Sequence, residues 1–371
     1  MSKKPAMVDP EFQALTQIWL TAIVSLIFCH QIAARIPTGA SRLVSVLPVI
    51  YLFTTLPLRL SSIHLGAPTI FYLVWLGNFK LLLLSFNQGP LSATAFLRFI
   101  SVGLLPIKSK QTPSPESSSD HKRPFLLLLK CGLLAVIVAS YKYREFLHPY
   151  LIMALYCCHV YLGVELILAI TALPAKALGV ELEPQFDEPY LATSLQDFWG
   201  RRWNLMVTSI LRPTVYHPVR RISTRILGRS SWALAPAILA TFLVSGLMHE
   251  VIYYYMSRAS PTWEVTWFFV LHGVCVAAEV ALKKAVAGVG SCTGGFGTLT
   301  VGFVVVTGAW LFFPQVTRNG LDTRAINEYS IVAGFIGVQD EPRRLASRLV
   351  IKLGSSSSFS SSSRACSCSS S

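Results

Sequence analysis

The chain has 371 residues, of which 53% are hydrophobic and 13% charged, and its mean hydropathy is +0.53. Lys and Arg number 32 against 18 Asp and Glu, a formal charge of +14. This combination excludes a soluble globular domain and leaves an integral membrane protein, with the positive excess read as membrane topology or anion binding rather than nucleic-acid binding.

A helix needs roughly twenty apolar residues to cross a bilayer. In chain order, such runs are predicted over Leu15 to Ala34, Leu43 to Leu60, Thr69 to Phe86, Phe125 to Tyr141, Leu147 to Leu173, Ala233 to Met256, Trp263 to Leu282 and Leu299 to Phe313. Leu91 to Leu105 and Ile326 to Val338 are shorter and read as further spans or interfacial segments, so about 7–10 helices are expected. Pro37, Pro48, Pro57 and Pro68 mark ends or kinks in the first group of spans. The fold class is therefore all-α and polytopic. Residues 1–106 form N-terminal spans, 107–124 a Pro/Ser-rich polar linker, 125–340 a second, functional core with a polar loop at 177–232, and 341–371 a disordered Ser-rich tail. Residues 1 to 14 lack the cleavage pattern of a signal peptide, so the first apolar run is read as a retained span.

Basic residues concentrate in Lys108 to Arg123, Arg201 to Arg229 and Arg343 to Lys352, which the positive-inside rule places in the cytoplasm. The eight cysteines are scattered, without metal-ligand spacing, and no metal is expected.

The long polar stretch has an acidic first half, with Glu181, Glu183, Asp187, Glu188 and Asp197, and a basic second half, with Arg201, Arg202, Arg212, Arg220, Arg221, Arg225 and Arg229. On a helical reading Val219, Ile222, Ile226 and Leu227 share one face and Arg221, Arg225 and Arg229 another, the layout of a helix lying on a membrane surface. The alternative use of this charge is phosphate binding by Arg201 and Arg202, whose guanidinium forks match phosphate oxygens. Trp199 and Trp203, four apart, would share a helix face as interfacial anchors. Asn204 is equally suited to a helix–helix hydrogen bond.

His249 and Glu250 lie inside an apolar run, where titratable groups are costly and usually functional. In a helix Ser245 and Tyr253 flank His249 at i−4 and i+4, within reach of the imidazole. A neutral imidazole in a low-dielectric cavity can take a proton from an alcohol. The competing use is a structural hydrogen bond to a neighbouring helix. His30, His64, His148, His159 and His272, with Glu165 and Glu279, lie in or near other spans.

Gln196-Asp-Phe-Trp-Gly-Arg-Arg-Trp-Asn204, followed by Ser245-Gly-Leu-Met-His-Glu250, resembles the plant wax synthase branch of the membrane-bound O-acyltransferase family. The resemblance runs from about Glu11 to Val338, including the acidic lead-in at Glu181 to Glu188 and the block Pro213 to Arg221, and the Ser- and Cys-rich end after about Asp340 departs from it. It implies a helical shell around a buried tunnel in the endoplasmic reticulum membrane. It further implies a catalytic His249 supported by Asn204, and transfer of a fatty acyl group from coenzyme A to a hydroxyl. Trp199 and Trp203 would then shape the mouth and Arg201 and Arg202 draw the coenzyme phosphates, with Ser245, Glu250 and Tyr253 also at the substrates. Acyl-coenzyme A is a co-substrate in this reading, the acceptor comes from the bilayer, and no cofactor is required. A long-chain alcohol ranks first as acceptor, with a sterol or diacylglycerol next. A different class of protein, a lipid transporter, would instead align Glu165, His249, Glu250, His272 and Glu279 along a polar path.

Overall fold

A computed structural model describes residues 8–92, 95–107, 123–173, 183–228, 230–286 and 297–335, all of which are helical or irregular. The linker Gln111 to Asp120, Glu181, Arg229, the basic run Arg343 to Lys352 and the Ser-rich tail lie outside the described residues.

Among the described residues, eight helices are long and apolar enough to cross a membrane. They are α1 (Pro10–Arg35), α2 (Ala40–Arg59), α3 (Ile63–Ser85), α5 (Phe125–Phe146), α6 (Pro149–Thr171), α9 (Trp232–Ser257), α10 (Glu264–Ala285) and α11 (Gly297–Arg318). Each contains one of the eight runs expected from the sequence, give or take a terminal turn. Between them lie α4 (Phe96–Leu104), α7 (Leu205–Leu211) and α8 (His217–Leu227). At nine residues α4 is too short to span. It packs on α1 instead, where Phe96 and Phe99 meet the His30 ring edge-on. The chain divides by internal packing into 1–322 and 323–371; of the second unit, 323–335 make up most of a helix, α12 (Leu321–Phe335).

Of the four prolines in the first spans, Pro48 and Pro68 sit inside α2 and α3, while Pro37 follows α1 and Pro57 lies in the last turn of α2. The Ser62 hydroxyl caps α3 by accepting from Leu65 N at 3.3 Å. α3 is the most enclosed span, with 67% of its apolar window buried. Its Lys80 is wholly buried, yet its ammonium reaches the carbonyls of Val102 at 2.6 Å and Leu105 at 2.8 Å, satisfying the end of α4.

α9 and α10 form the most extensively packed pair. Lipid tails offer no hydrophobic drive between helices, so close packing of small residues replaces it. A Cβ on Gly246 of α9 would stand 2.8 Å from Thr266 Cα, and one on Gly273 of α10 would stand 2.9 Å from Phe242 Cβ. Glu250 completes the junction: its carboxylate accepts from Thr266 N and Oγ1, both at 3.4 Å, in the first turn of α10, where unpaired N–H groups and the helix dipole favour an anion. Gly246→Val is expected to lower stability by about 1–3 kcal/mol, read as a fall in Tm of the detergent-solubilised protein. Activity falls with it, because His249 lies less than one turn further along the same helix. An unchanged Tm would refute the close packing.

The surface helix expected around Val219 is α8. It packs against the start of α9, with Ser223 donating to the Ala233 carbonyl at 2.8 Å. Ile222, Ile226 and Leu227 stay exposed along one side, and Arg220, Arg221 and Arg225 are exposed around the rest. This arrangement suits a bilayer surface.

Candidate active site

A cavity of about 480 Å³ runs between α3, α7, α8, α9 and α10. At one end are Gln196, Arg212, His217, Arg220 and Leu234; at the other are Trp75, His249 and Phe269. Along α9 the lining runs from Leu234 to His249, fifteen positions or roughly 22 Å of helix at 1.5 Å per residue. The cavity is therefore a deep, mostly apolar shaft with a basic mouth.

His249 closes its deep end. Its ring stacks on Phe269 with centroids 4.4 Å apart and meets Trp75 edge-on at 5.2 Å and Phe312 at 5.6 Å. Its Nδ1 lies 2.7 Å from the Ser245 carbonyl. A carbonyl only accepts, so Nδ1 carries the proton and Nε2 keeps its lone pair, the tautomer of a base. The i−4 relation to Ser245 thus works through the main chain, and the helix itself fixes the imidazole.

Asn204 lines the same cavity. It has a left-handed backbone, φ 40° and ψ 65°, and its side-chain oxygen accepts from Val207 N at 3.4 Å, capping α7. Asn is among the residues that tolerate both roles. The cap occupies the amide oxygen and leaves the amide N–H₂ to donate.

The segment before it departs from the helix expected for Trp199 and Trp203. Phe198–Arg202 is a π-helical turn in which Trp203 N reaches back to Phe198 O at 2.9 Å, and Trp203 itself is extended. The wider turn brings Trp203 over Phe198, stacked at 5.4 Å and 16°, with Trp199 edge-on to Trp203 at 6.2 Å. Both tryptophans line the shaft rather than lying four apart on a membrane-facing helix. Ser194 starts this segment by accepting from Asp197 N at 3.2 Å.

Arg201 and Arg202 are not at the cavity. Arg202 donates from Nε to Asp197 at 2.7 Å and from its Nη1 to the carbonyls of Asp187 and Glu188, tying the acidic half of the loop to the tryptophan turn. Burial opposes ionisation of Asp197, but hydrogen bonds from Arg202 and from Thr193 N outweigh it and hold the carboxyl below its ordinary range. The cations that do face the shaft are Arg212 and Arg220, with His217 beside them. Glu250 and Tyr253 are also outside the lining: Glu250 turns to Thr266, and the Tyr253 hydroxyl donates to Phe312 O at 3.2 Å. Ser245, Trp199, Trp203, Asn204 and His249, grouped in the sequence reading, all line this cavity, whereas Trp75, Phe269, Arg212, His217 and Arg220 carry no site signal when read alone. Arg212, His217 and Arg220 fall in or beside the Pro213 to Arg221 block of the family resemblance, and only that hinted at them.

The π-helical stretches share a location. Among the described residues they are Phe71–Gly77, Phe198–Arg202, Arg212–Tyr216 and Gly308–Phe312. The first three each place a side chain on the cavity, and Phe312 of the fourth touches the His249 ring. Such widened turns recur at functional sites.

The five groups of the transport reading do not make a path. Lys130 pairs with Glu165 between α5 and α6 at 2.5 Å, Glu279 pairs with Lys283 and accepts from Gln196 N, and His272 donates to Phe268 O and faces Thr307. No hydrogen bond joins any two of the five among the described residues. No group of three or more His, Cys, Asp or Glu that could hold a metal occurs among them either.

The chain matches the family model described as the membrane bound O-acyl transferase family over residues 182–271, which takes in both motif blocks. It is 51% identical over 340 residues to a long-chain-alcohol O-fatty-acyltransferase of Simmondsia chinensis, covering 88% of this chain and 96% of that one. Probable long-chain-alcohol O-fatty-acyltransferase 1 of Arabidopsis thaliana is 46% identical over 332 residues, covering 88% and 97%. An acyl-CoA–sterol O-acyltransferase 1 of the same plant is 41% identical over 327 residues, covering 85% and 94%.

Proposed function

This chain belongs to the membrane-bound O-acyltransferase family, and from that premise we propose that it moves a fatty acyl group from coenzyme A to the hydroxyl of a long-chain alcohol, forming a wax ester. The observation that carries the reading is the placing of His249 Nε2, free as a base, and the Asn204 amide in one shaft with a basic mouth.

The donor's phosphates bind Arg212 and Arg220 at the mouth, where guanidinium groups match phosphate oxygens and remain charged. Its flexible arm follows the shaft, and the thioester carbonyl meets the Asn204 amide. His249 Nε2 removes the alcohol proton as the oxygen attacks the carbonyl carbon. The tetrahedral intermediate collapses by breaking the carbon–sulfur bond, and the coenzyme thiolate leaves and recovers the proton from the imidazolium. No acyl-enzyme and no cofactor are required. The exposed arginines of α8 and the mouth belong on the cytosolic side by the positive-inside rule, and the endoplasmic reticulum is the membrane this reading assigns.

The test is purified protein in vesicles given labelled acyl-coenzyme A with a long-chain alcohol, a sterol or a diacylglycerol. Wax ester as the main product supports the acceptor; sterol ester or triacylglycerol as the main product replaces it; thioester consumption without any ester refutes acyl transfer. In the same assay Arg212→Gln combined with Arg220→Gln is expected to raise KM for acyl-coenzyme A about ten- to a hundredfold, the worth of one or two charged hydrogen bonds, with kcat and the alcohol KM little changed. Loss of kcat at unchanged KM would remove the arginines from phosphate binding.

A further inference from the structure

The shaft is mostly apolar between its basic mouth and His249, yet the arm of coenzyme A carries secondary amides. An amide moved from water into such a channel costs free energy unless it finds a hydrogen bond there. Three aliphatic hydroxyls line the shaft, those of Thr208, Thr241 and Ser245. Thr241 commits its proton to the Ala237 carbonyl at 2.8 Å. Ser245 stands on α9, one turn before the base. Thr208 alone lies on the line of α7, four residues after Asn204 and four before Arg212, both of which also line the shaft.

The Thr208 hydroxyl has no use inside the protein. Threonines within helices commonly bond back to the carbonyl four residues earlier, as Thr54, Thr69, Thr171, Thr214 and Thr241 do here at 2.7–2.8 Å. The carbonyl four before Thr208 belongs to Asn204 at the cap, and it accepts from Thr208 N at 3.3 Å. Among the described residues the Thr208 hydroxyl makes no hydrogen bond, so its proton is available to whatever fills the shaft.

Spacing identifies what that proton meets. Four residues of helix advance about 6 Å and return to nearly the same face, so the Asn204 amide and the Thr208 hydroxyl follow one another along the cavity wall. In a coenzyme A thioester, five bonds run from the thioester carbonyl carbon through the sulfur, two methylenes and a nitrogen to the nearest amide carbonyl carbon. An extended chain advances roughly 1.2 Å per bond, so these two carbonyls also stand about 6 Å apart. Continuing in the same direction, α7 leads to Arg212, one of the two cations at the mouth.

We propose that Thr208 is a binding residue for the acyl donor: its hydroxyl donates to the carbonyl of the amide nearest the thioester while the Asn204 amide donates to the thioester carbonyl itself. The proposal rests on the acyl-transfer reading for the identity of the donor. It makes α7 a ruler that sets the thioester by gripping the donor one helical turn away from the reacting carbon.

The experiment uses three thioesters of one fatty acid: that of coenzyme A, that of N-acetylcysteamine, which keeps this amide and little else, and that of pentanethiol, in which methylenes replace the amide. Each is titrated into wild type, Thr208→Val and Thr208→Ser, reading the concentration that gives half of the full thermal stabilisation, and ester formation with a long-chain alcohol is measured alongside. Thr208→Val is expected to raise that concentration about three- to tenfold for the two amide-bearing thioesters, the worth of one neutral hydrogen bond, and Thr208→Ser to stay within about twofold of wild type. The pentyl thioester should not discriminate between the proteins. An equal shift for all three thioesters, an unmoved coenzyme A value, or a Ser variant that behaves like Val overturns the proposal. Should neither short thioester stabilise the protein, the coenzyme A value decides, raised in Val and restored in Ser. Thr208→Ala stands in if the Val variant does not fold. Stabilisation does not depend on turnover, so the expected pattern in a protein that makes no ester keeps the subsite and discards acyl transfer, whereas ester formation with an unmoved coenzyme A value does the reverse.

Discussion

Ester formation is expected to fall by about 10²–10⁴-fold when His249 is replaced by Gln, the usual contribution of a general base, while the protein keeps its fold. Gln is the informative substitution because its amide can still donate to the Ser245 carbonyl that holds Nδ1 at 2.7 Å, and its bulk still fills the space between Phe269 and Trp75. It cannot take up a proton. His249→Ala should show the same catalytic loss together with a lower Tm, since it empties an aromatic cage. The pair separates chemistry from packing: kcat measured in vesicles should drop equally in both, and only the Ala variant should unfold earlier. Should His249→Gln retain a tenth or more of wild-type kcat, the histidine is a structural ring and the base lies elsewhere. Binding of acyl-coenzyme A is expected to survive both changes, because the contacts assigned to it lie at Arg212 and Arg220, neither of which is among the rings packed on His249.

The spans were legible from composition because bilayer crossing imposes one pattern, a long apolar run, regardless of what the helices do. That constraint also explains what was hidden. Whether Glu250 faces the cavity or the next helix depends on the crossing of α9 and α10, which Gly246 fixes through its contact with Thr266. No period in an all-apolar helix reveals that. Arg201 and Arg202 adjoin the tryptophans in sequence, but the π-helical turn rotates Arg202 back onto Asp197, and the arginines that line the cavity are Arg212 and Arg220. Trp199 and Trp203 line the cavity through this wider turn and not through the regular helix expected of them. Trp75 reads as one apolar residue among many in α3, and only the fold sets it against His249.

Asn204 caps α7, and the proposed reaction gives it a second duty that its variants should pull apart. The cap needs an oxygen and a backbone at φ 40°; the proposed catalytic role needs the amide N–H₂. Asn204→Asp keeps an acceptor for Val207 N, tolerates the left-handed backbone and places its negative charge at a helix N-terminus, where it is favoured. It has no N–H to offer. Asn204→Gly relieves the backbone altogether and costs the cap only a few tenths of a kcal/mol, again without a donor and without a new charge. Both variants are therefore expected to hold a Tm close to wild type while kcat drops about 10²–10³-fold, the effect of removing one preorganised donor from a developing oxyanion. Asn204→Ala should lose the same kcat and in addition be less stable by about 1 kcal/mol for the cap and by up to about 1 kcal/mol because alanine has no polar side chain to ease the left-handed backbone. The decisive comparison is Gly against Ala. If Asn204→Gly turns over at the wild-type rate and Asn204→Ala does not, the residue is a cap that happens to border the shaft, and the carbonyl must find its hydrogen bond among the other polar groups lining it, Thr208 and Thr241 first.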